Sequence, residues 1–345
     1  MQRRDFLRNT AVSGVAFGLS IAHSPLPSAG DGLGVRGSDA LCAEPSDQRG
    51  APALEIERLD TDHFRLKFRP AEPRPLRILQ ITDTHFGNDE TEYQERDVRT
   101  VELLKKLVAT HQPDFIAHTG DFINNDRGPQ ISFAAVAALD SLGVPWTHSL
   151  GNHDIGHVPM DEYYKMPQRA SLGYFDHAGE RQRAARFDLV TAAAARPAFS
   201  IYAFNSGHEM PNKHVGSRQL DWFANQLQRD SSAEVACPQI ALIHIPLREF
   251  ENLRAAEKFS GIFGENVCFE SDEGAAFNAF RQCGRLRAIF SGHDHENDYC
   301  GQREGVELVY GRVTGYSGYG DLPRGGRLIE LDPATGQYTH RLAFA

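Results

Sequence analysis

Short apolar runs, each closed by a polar side chain able to bind a metal, recur along the chain. Leu76 to Thr82 leads to Asp83 and His85, Phe115 to Thr119 to Asp121, and Pro145 to Leu150 to Asn152. Ile240 to Ile243 then leads to His244, and Leu286 to Ser291 to His293 and His295. Apolar runs of this length, bounded by glycine and polar residues, read as buried strands. Between them the spacing turns helical. Beyond Glu92, Val101, Leu104 and Val108 fall on one face, as do Leu220, Phe223 and Leu227 beside Trp222. Glu55 to Phe68 reads as an opening hairpin, and Val306 to Tyr310, Arg327 to Leu331 and Tyr338 to Leu342 as late strands. Alternating strands and helices predict an α/β fold, in which loops at the carboxyl edge of a sheet converge on one crevice. No internal repeat or heptad stands out, and the alanine run at Ala192 to Ala195 is the main low-complexity feature.

Seven candidate ligands therefore gather where strands end. Extended backbone through Asp83-Thr84-His85 and His293-Asp294-His295 would point the outer side chains of each triplet the same way. Oxygen and imidazole donors without cysteine suit Mn, Fe, Zn, Co or Ni, and exclude a thiolate zinc finger or an all-oxygen calcium cage. The set exceeds what one tetrahedral ion needs and suits two ions sharing a carboxylate. Such a centre activates water and clamps the oxygens of an in-line displacement, so phosphate ester hydrolysis is its natural use.

The motifs Asp83-Thr84-His85, Gly120-Asp121, Gly151-Asn152-His153-Asp154, His244 and Gly292-His293-Asp294-His295 stand in an order that resembles the calcineurin-like metallophosphoesterases. This resemblance implies a four-layer α/β/β/α sandwich and two transition metal ions, with Mn, Fe or Zn foremost. It also implies the ligand split: Asp83, His85, Asp121 and His295 on one ion, and Asp121, Asn152, His244 and His293 on the other. A narrower resemblance runs through His244-Ile245-Pro246-Leu247, Gly292 to Gly301, and Gly315-Tyr316-Ser317-Gly318-Tyr319-Gly320. It points to the purple-acid-phosphatase-like branch of plants and fungi. True purple acid phosphatases carry a tyrosine ligand where this chain has Asn124 and lack the histidine supplied here by His85, so the purple charge-transfer colour is expected to be absent. Cys268 and Cys300 match the narrower pattern, which implies a bridge between them.

His153 follows the ligand candidate Asn152, and is expected to protonate the leaving alkoxide or stabilise charge on the phosphoryl oxygens, with Asp154 as its orienting carboxylate. Tyr316 and Tyr319 are candidates for lining the substrate pocket. His118 and His148, on apolar runs, are expected to support the ligands rather than bind metal. His63, His111, His157, His177, His208 and His214 read as surface or loop residues.

The amino terminus carries a separate signal. Arg3-Arg4-Asp5-Phe6-Leu7 precedes a moderately apolar run from Ala11 to Ala22, too short for a membrane span and similar to a twin-arginine export signal. Residues 1–30 are assigned to that signal, 31–53 to a linker rich in Gly, Ser, Pro and Asp, and 54–345 to one catalytic domain. The expected partners are the Tat export machinery and a small phosphate ester, with a periplasmic or secreted destination and no stable membrane anchor. Five cysteines in 345 residues leave stability to a packed core. A formal net charge of −10 argues against a nucleic-acid binder and leaves attraction of an anionic substrate to the metals. The leading expectation is a binuclear phosphomonoesterase. A phosphodiesterase acting on cyclic nucleotides or glycerophosphodiesters, and a non-catalytic metal- or phosphate-binding module, are the alternatives.

Overall fold

The structure, a computed structural model, describes residues 52–87, 91–124, 129–154, 170–175, 184–191, 196–205, 215–232, 236–269 and 275–345. The export signal, nearly all of the linker, Ala192 to Ala195, and His157, His177, His208 and His214 fall outside the described residues. The strands are β1 (Leu54–Arg58), β2 (His63–Phe68), β3 (Leu76–Ile81), β4 (Phe115–His118), β5 (Trp146–His148), β6 (Ala185–Thr191), β7 (Phe199–Ala203), β8 (Gln239–Leu242), β9 (Leu286–Ser291), β10 (Cys300–Arg303), β11 (Val306–Tyr310), β12 (Gly326–Asp332) and β13 (Gln337–Ala343). The helices are α1 (Thr91–His111), α2 (Pro129–Asp140), α3 (Ser217–Ser232), α4 (Glu249–Ala255) and α5 (Ala275–Gln282).

Among the described residues these strands form two sheets, one ordered β1-β2-β6-β7-β8-β9-β11-β10 and the other β13-β12-β3-β4-β5. The pattern within each strand sets the layers, because successive side chains point to opposite faces. In β3, Leu76 and Ile78 face a core shared with Ile240, Leu242 and Phe290 of the other sheet. Leu79 and Ile81 face the opposite way, against Leu104 and Leu107 of α1 and Val136 and Leu139 of α2. On the far side, Ala241 and Ile289 pack with Phe223 of α3, Phe250 and Leu253 of α4 and Phe280 of α5. The result is the expected α/β/β/α sandwich. Each fully buried Leu, Ile or Phe contributes about 1.5–3 kcal/mol of hydrophobic stabilisation.

The anticipated strands and the opening hairpin all form, with ends moved by a residue or two, and the hairpin pairs Leu54 with Phe68 through Arg58 with Phe64. The face of α3 differs from expectation. Gln219, Phe223, Gln226 and Asp230 are its buried residues, while Leu220 and Leu227 are only half-buried. The reason lies in β6, whose alternate side chains Arg186 and Asp188 point outward, opposite Phe187 and Leu189 in the inter-sheet core. A helix covering this polar face must bring partners, and Asp230 meets Arg186 at 2.8 Å. His63, expected at the surface, lies within β2 and contacts Asp188 at 2.7 Å.

The Cys268–Cys300 bridge is not formed, and both are free thiols. Strand β10 pairs Cys300 with Ser260 through reciprocal backbone bonds of 2.8 Å, and its side chain packs against the inter-sheet core. Cys268 is exposed, and its amide is directed to the carboxylate of Asp294. No described helix is long and apolar enough to cross a membrane.

Candidate metal centre

Strands β3, β4 and β5 run parallel in one sheet, and β8 and β9 in the other, so their carboxyl ends each deliver loops to one edge. Backbone bonds lock the loops together. The amide of Asp83 donates to the carbonyl of Gly120, that of His85 to Asp121, and that of Gly292 to His244, each at 3.0 Å. The two sheets are tied across by His293, whose amide donates to Oδ2 of Asp83 at 3.0 Å.

The backbone through these loops is not extended. Asp83, His85, Asp121 and His293 have φ of 55°, 47°, 51° and 82°, in the left-handed region. Each non-glycine residue held there costs on the order of 1–3 kcal/mol, a strain that clusters at functional sites. The expectation that the outer residues of a triplet fall together holds for Asp83 and His85 but fails for His293 and His295. His295 joins Asp83 and His85, whereas His293 joins Asp121 and His244. The motif glycines follow from the same crowding. A Cβ on Gly120, which has φ of 94°, would sit 2.4 Å from the His244 ring, and one on Gly151 would sit 2.3 Å from Oδ1 of Asp121.

The seven candidate ligands form two adjoining groups. Oδ1 of Asp83 lies 3.3 Å from Nε2 of His295 and 3.9 Å from Nε2 of His85. Nε2 of His244 lies 3.2 Å from Oδ1 of Asn152 and 3.3 Å from Nδ1 of His293. Asp121 stands between them, its Oδ2 being 3.6 Å from Nε2 of His85 and 3.2 Å from Nε2 of His244.

Tautomers make the case for a cation. Nδ1 of His244 donates to the carbonyl of Thr119 at 2.8 Å, and Nδ1 of His295 to that of Tyr319 at 3.2 Å. In the neutral rings, each Nε2 then presents a lone pair to carboxylate oxygens and other imidazoles. Oδ2 of Asp83 is used by Thr82 and His293, but its buried Oδ1 has no hydrogen-bond partner. Acceptors facing acceptors call for a metal ion or a proton, and the mixed nitrogen and oxygen donors suit a transition metal. Burial pulls His85 down to about 4 and His293 to about 3, keeping both neutral, as metal binding would require. Burial also disfavours the His244 imidazolium, but Asp121 outweighs it and pushes His244 up to about 9, so a proton would compete with any metal bound there.

His153 is exposed at the edge of the first group, its ring centroid 4.8 Å from that of His85. Its amide donates to Oδ1 of Asp121 at 2.8 Å. The expected pairing with Asp154 is not formed. Asp154 is buried and accepts backbone N–H groups from Phe122, Ile123 and Gly151 at 2.9, 3.0 and 2.7 Å. It is spent on joining the two ligand loops, and burial together with the charge of Asp121 raises it to about 7. The partner of His153 is Asn124, whose Oδ1 lies 3.0 Å from Nδ1.

His118 contacts the ligand loops as expected, whereas His148 packs within the sheet beside it. Nδ1 of His118 accepts from the amide of Gly120, while its Nε2 meets Oγ1 of Thr84 at 2.8 Å. Nδ1 of His148 donates to the carbonyl of Ser149. The two tyrosines part company. Tyr316 packs beside α1 beneath the guanidinium of Arg99, 4.0 Å from its ring centroid, and its amide donates to Thr100. Tyr319 lies parallel to His295, with centroids 4.0 Å apart and 14° between planes. Sequence reasoning missed Asn205, which lies beyond β7 and accepts the amide of Leu150 at 2.9 Å, and Glu265, which accepts from the hydroxyl of Tyr319. Neither sits in a motif. Thr82 and Thr84, which flank Asp83, were legible only as neighbours of a ligand.

Comparisons with known proteins agree with this geometry. The family model described as Calcineurin-like phosphoesterase matches residues 76–297. The chain is similar to two Arabidopsis thaliana proteins. "Probable inactive purple acid phosphatase 29" is 27% identical, over 82% of this chain and 83% of the relative. "Probable inactive purple acid phosphatase 28" is 28% identical, over 83% and 85%. Among solved structures, a dimetal phosphatase from Danio rerio has the same fold, with a TM-score of 0.55 and 14% identity over 78% of this chain and 96% of that one. With the matched segment holding every candidate ligand on the two converging sheet edges, the chain belongs to the calcineurin-like phosphoesterase family.

Proposed function

We propose that the protein is a binuclear metal-dependent phosphatase that hydrolyses small phosphomonoesters. The observation that carries this reading is the position of Asp121 between two ligand groups, with His153 beside them. Asp83, His85, Asp121 and His295 would hold one ion and Asp121, Asn152, His244 and His293 the other, with Mn, Fe or Zn best suited to the donors. Two ions so held supply a bound water with its pKa lowered to about 7 and polarise the phosphoryl oxygens.

The chain's own residues do the rest. Asn124 accepts from Nδ1 of His153 and leaves Nε2 as the nitrogen that exchanges a proton. From the edge of the centre that nitrogen can protonate a leaving oxygen, a contribution of about 10²–10⁴-fold. Asp154 fixes the Asp121 and Asn152 loops relative to one another, so the proton donor and the ligands move as one unit. A net charge of −10 supports small esters over polyanionic substrates.

The names of the Arabidopsis relatives favour a second reading, a site that binds metal and phosphate without turnover. Metal-stripped protein, with Mn, Fe, Zn, Co, Ni or Mg restored singly, is assayed on para-nitrophenyl phosphate and its bis-ester. Monoester turnover restored by a transition metal supports the proposal. Preference for the bis-ester replaces it with a phosphodiesterase, and silence on both, with metal bound, with the non-catalytic module.

The reading extends to location. Arg3-Arg4 with Phe6-Leu7 and the apolar run behind them support export through the Tat pathway to the periplasm or beyond, which would let the metals load before translocation. Replacing both arginines by lysine is expected to trap the protein inside the cell, as read by fractionation.

A further inference from the structure

Resting on the two-ion reading above, we infer that the two metal sites are unequal, and that the Asp83, His85 and His295 site is completed by a surface loop clasped by Arg324 and Glu265. The contrast begins at the two oriented histidines. His244 is fully buried and takes its orientation from the carbonyl of Thr119, a buried residue directly after β4 whose amide donates to the carbonyl of Ile81 in β3 at 2.9 Å. His295 takes its orientation from the carbonyl of Tyr319, a residue 54% exposed in the loop before β12.

Tyr319 touches His295 three ways. Its carbonyl meets Nδ1 at 3.2 Å, its ring lies flat on the imidazole, and its hydroxyl lies 3.4 Å from the His295 amide. The loop backbone also lies close against the ligand, since a Cβ on Gly318 would sit 2.5 Å from Cε1 of His295. None of these contacts belongs to a strand. Nη2 of Arg324 donates to the carbonyls of Gly318, Tyr319 and Gly320 at 2.9, 3.0 and 2.9 Å. The hydroxyl of Tyr319 donates to both oxygens of Glu265, at 2.8 and 2.9 Å, and Glu265 in turn accepts the amide of Glu296 at 2.8 Å. Arg324 and Glu265 are therefore positioning residues for His295, acting through Tyr319, and among the described residues His244 is oriented instead from the end of a central strand.

The test is calorimetric titration of metal-stripped protein with Zn²⁺ or Mn²⁺, comparing wild type with Arg324→Met, Tyr319→Leu and the near-isosteric Glu265→Gln. Wild type is expected to bind two ions. In each variant one ion keeps its affinity and the other weakens about 10–100-fold, the usual cost of losing a residue that orients a ligand. Thermal melts of the metal-free variants at the wild-type temperature place the loss in the site and not in the fold. Two ions bound with wild-type affinities by all three variants overturn the inference while leaving the two-ion reading intact. Equal weakening of both ions overturns it as well, and a wild-type chain that binds fewer than two ions overturns both readings together.

Discussion

Oδ1 of Asn124 meets Nδ1 of His153 at 3.0 Å, in the place that Asp154 was expected to fill. That hydrogen bond fixes the orientation of the ring. His153→Ala is expected to retain both metals and lower kcat about 10²–10⁴-fold. Asn124→Leu, which frees the ring but leaves it in place, is expected to cost about tenfold, at the lower end of losses for residues that orient a functional group. Steady-state kinetics with metal analysis on each variant checks both. Loss of metal from His153→Ala with normal turnover per bound ion would assign it to structure instead.

Asp154→Ala should behave differently from either. It strips the acceptor from three N–H groups in the ligand loops, each worth about 1–3 kcal/mol when left buried and unsatisfied. A large drop in Tm is expected, with metal lost as a consequence. An unchanged melt would refute this structural role for Asp154.

Oδ2 of Asp121 lies between the two ligand groups, 3.6 Å from Nε2 of His85 and 3.2 Å from Nε2 of His244. Asp121→Asn removes a charge that each ion needs, so metal analysis is expected to find neither ion retained and hydrolysis absent. Asn152→Ala, by contrast, touches the His244 group alone and should weaken one ion selectively. An Asp121→Asn protein with two ions and a normal rate would refute the bridging assignment.

The buried cluster under α3 sets a pH dependence of stability away from the metals. Burial alone would raise the Asp188 carboxyl, but the hydrogen bond from His63, the guanidinium of Arg186 and the Ser200 hydroxyl hold it below its ordinary value of 3.8. Its folded pKa thus lies under its unfolded one, and the stability it contributes is present above about pH 4 and lost as pH falls through the folded value. Asp188→Asn is expected to cost about 3–5 kcal/mol at neutral pH by breaking a buried ion pair, and to show a shallower acid decline. Denaturant midpoints measured from pH 7 down to 3 on both proteins check the prediction.

The four described cysteines are free. Iodoacetamide is expected to label exposed Cys268 quickly in the native protein, and Cys237, which is buried beside Ser200, only after unfolding. Reductant should leave Tm unchanged. Peptide mass mapping that recovered a Cys268–Cys300 crosslink would overturn the structure on this point.

Local pattern carried much of the architecture. Apolar runs ending in Asp83, Asp121, Asn152, His244 and His293 located the strands, because a strand buried on both faces must be apolar throughout and must change character where it leaves the sheet. Strands β6, β7 and β10 went unread, and so did the polar face of α3. Arg186 and Asp188 look solvent-facing in sequence, and only the helix laid over them reveals that they are buried.

By itself, the sequence determined which residues could bind metal and the order in which strands deliver them. The tertiary structure alone decided how those residues are shared and oriented. Left-handed turns at Asp83, His85 and His293 replaced the extended backbone that spacing implied. Asn124 rather than Asp154 reached His153, and Tyr319 came to lie on His295 while Tyr316 packed beside α1. The physical reason is the same in each case. Residue type and periodicity are local properties, whereas the partner of a buried polar group is set by whichever loop the packing of two sheets brings within 3 Å or so of it.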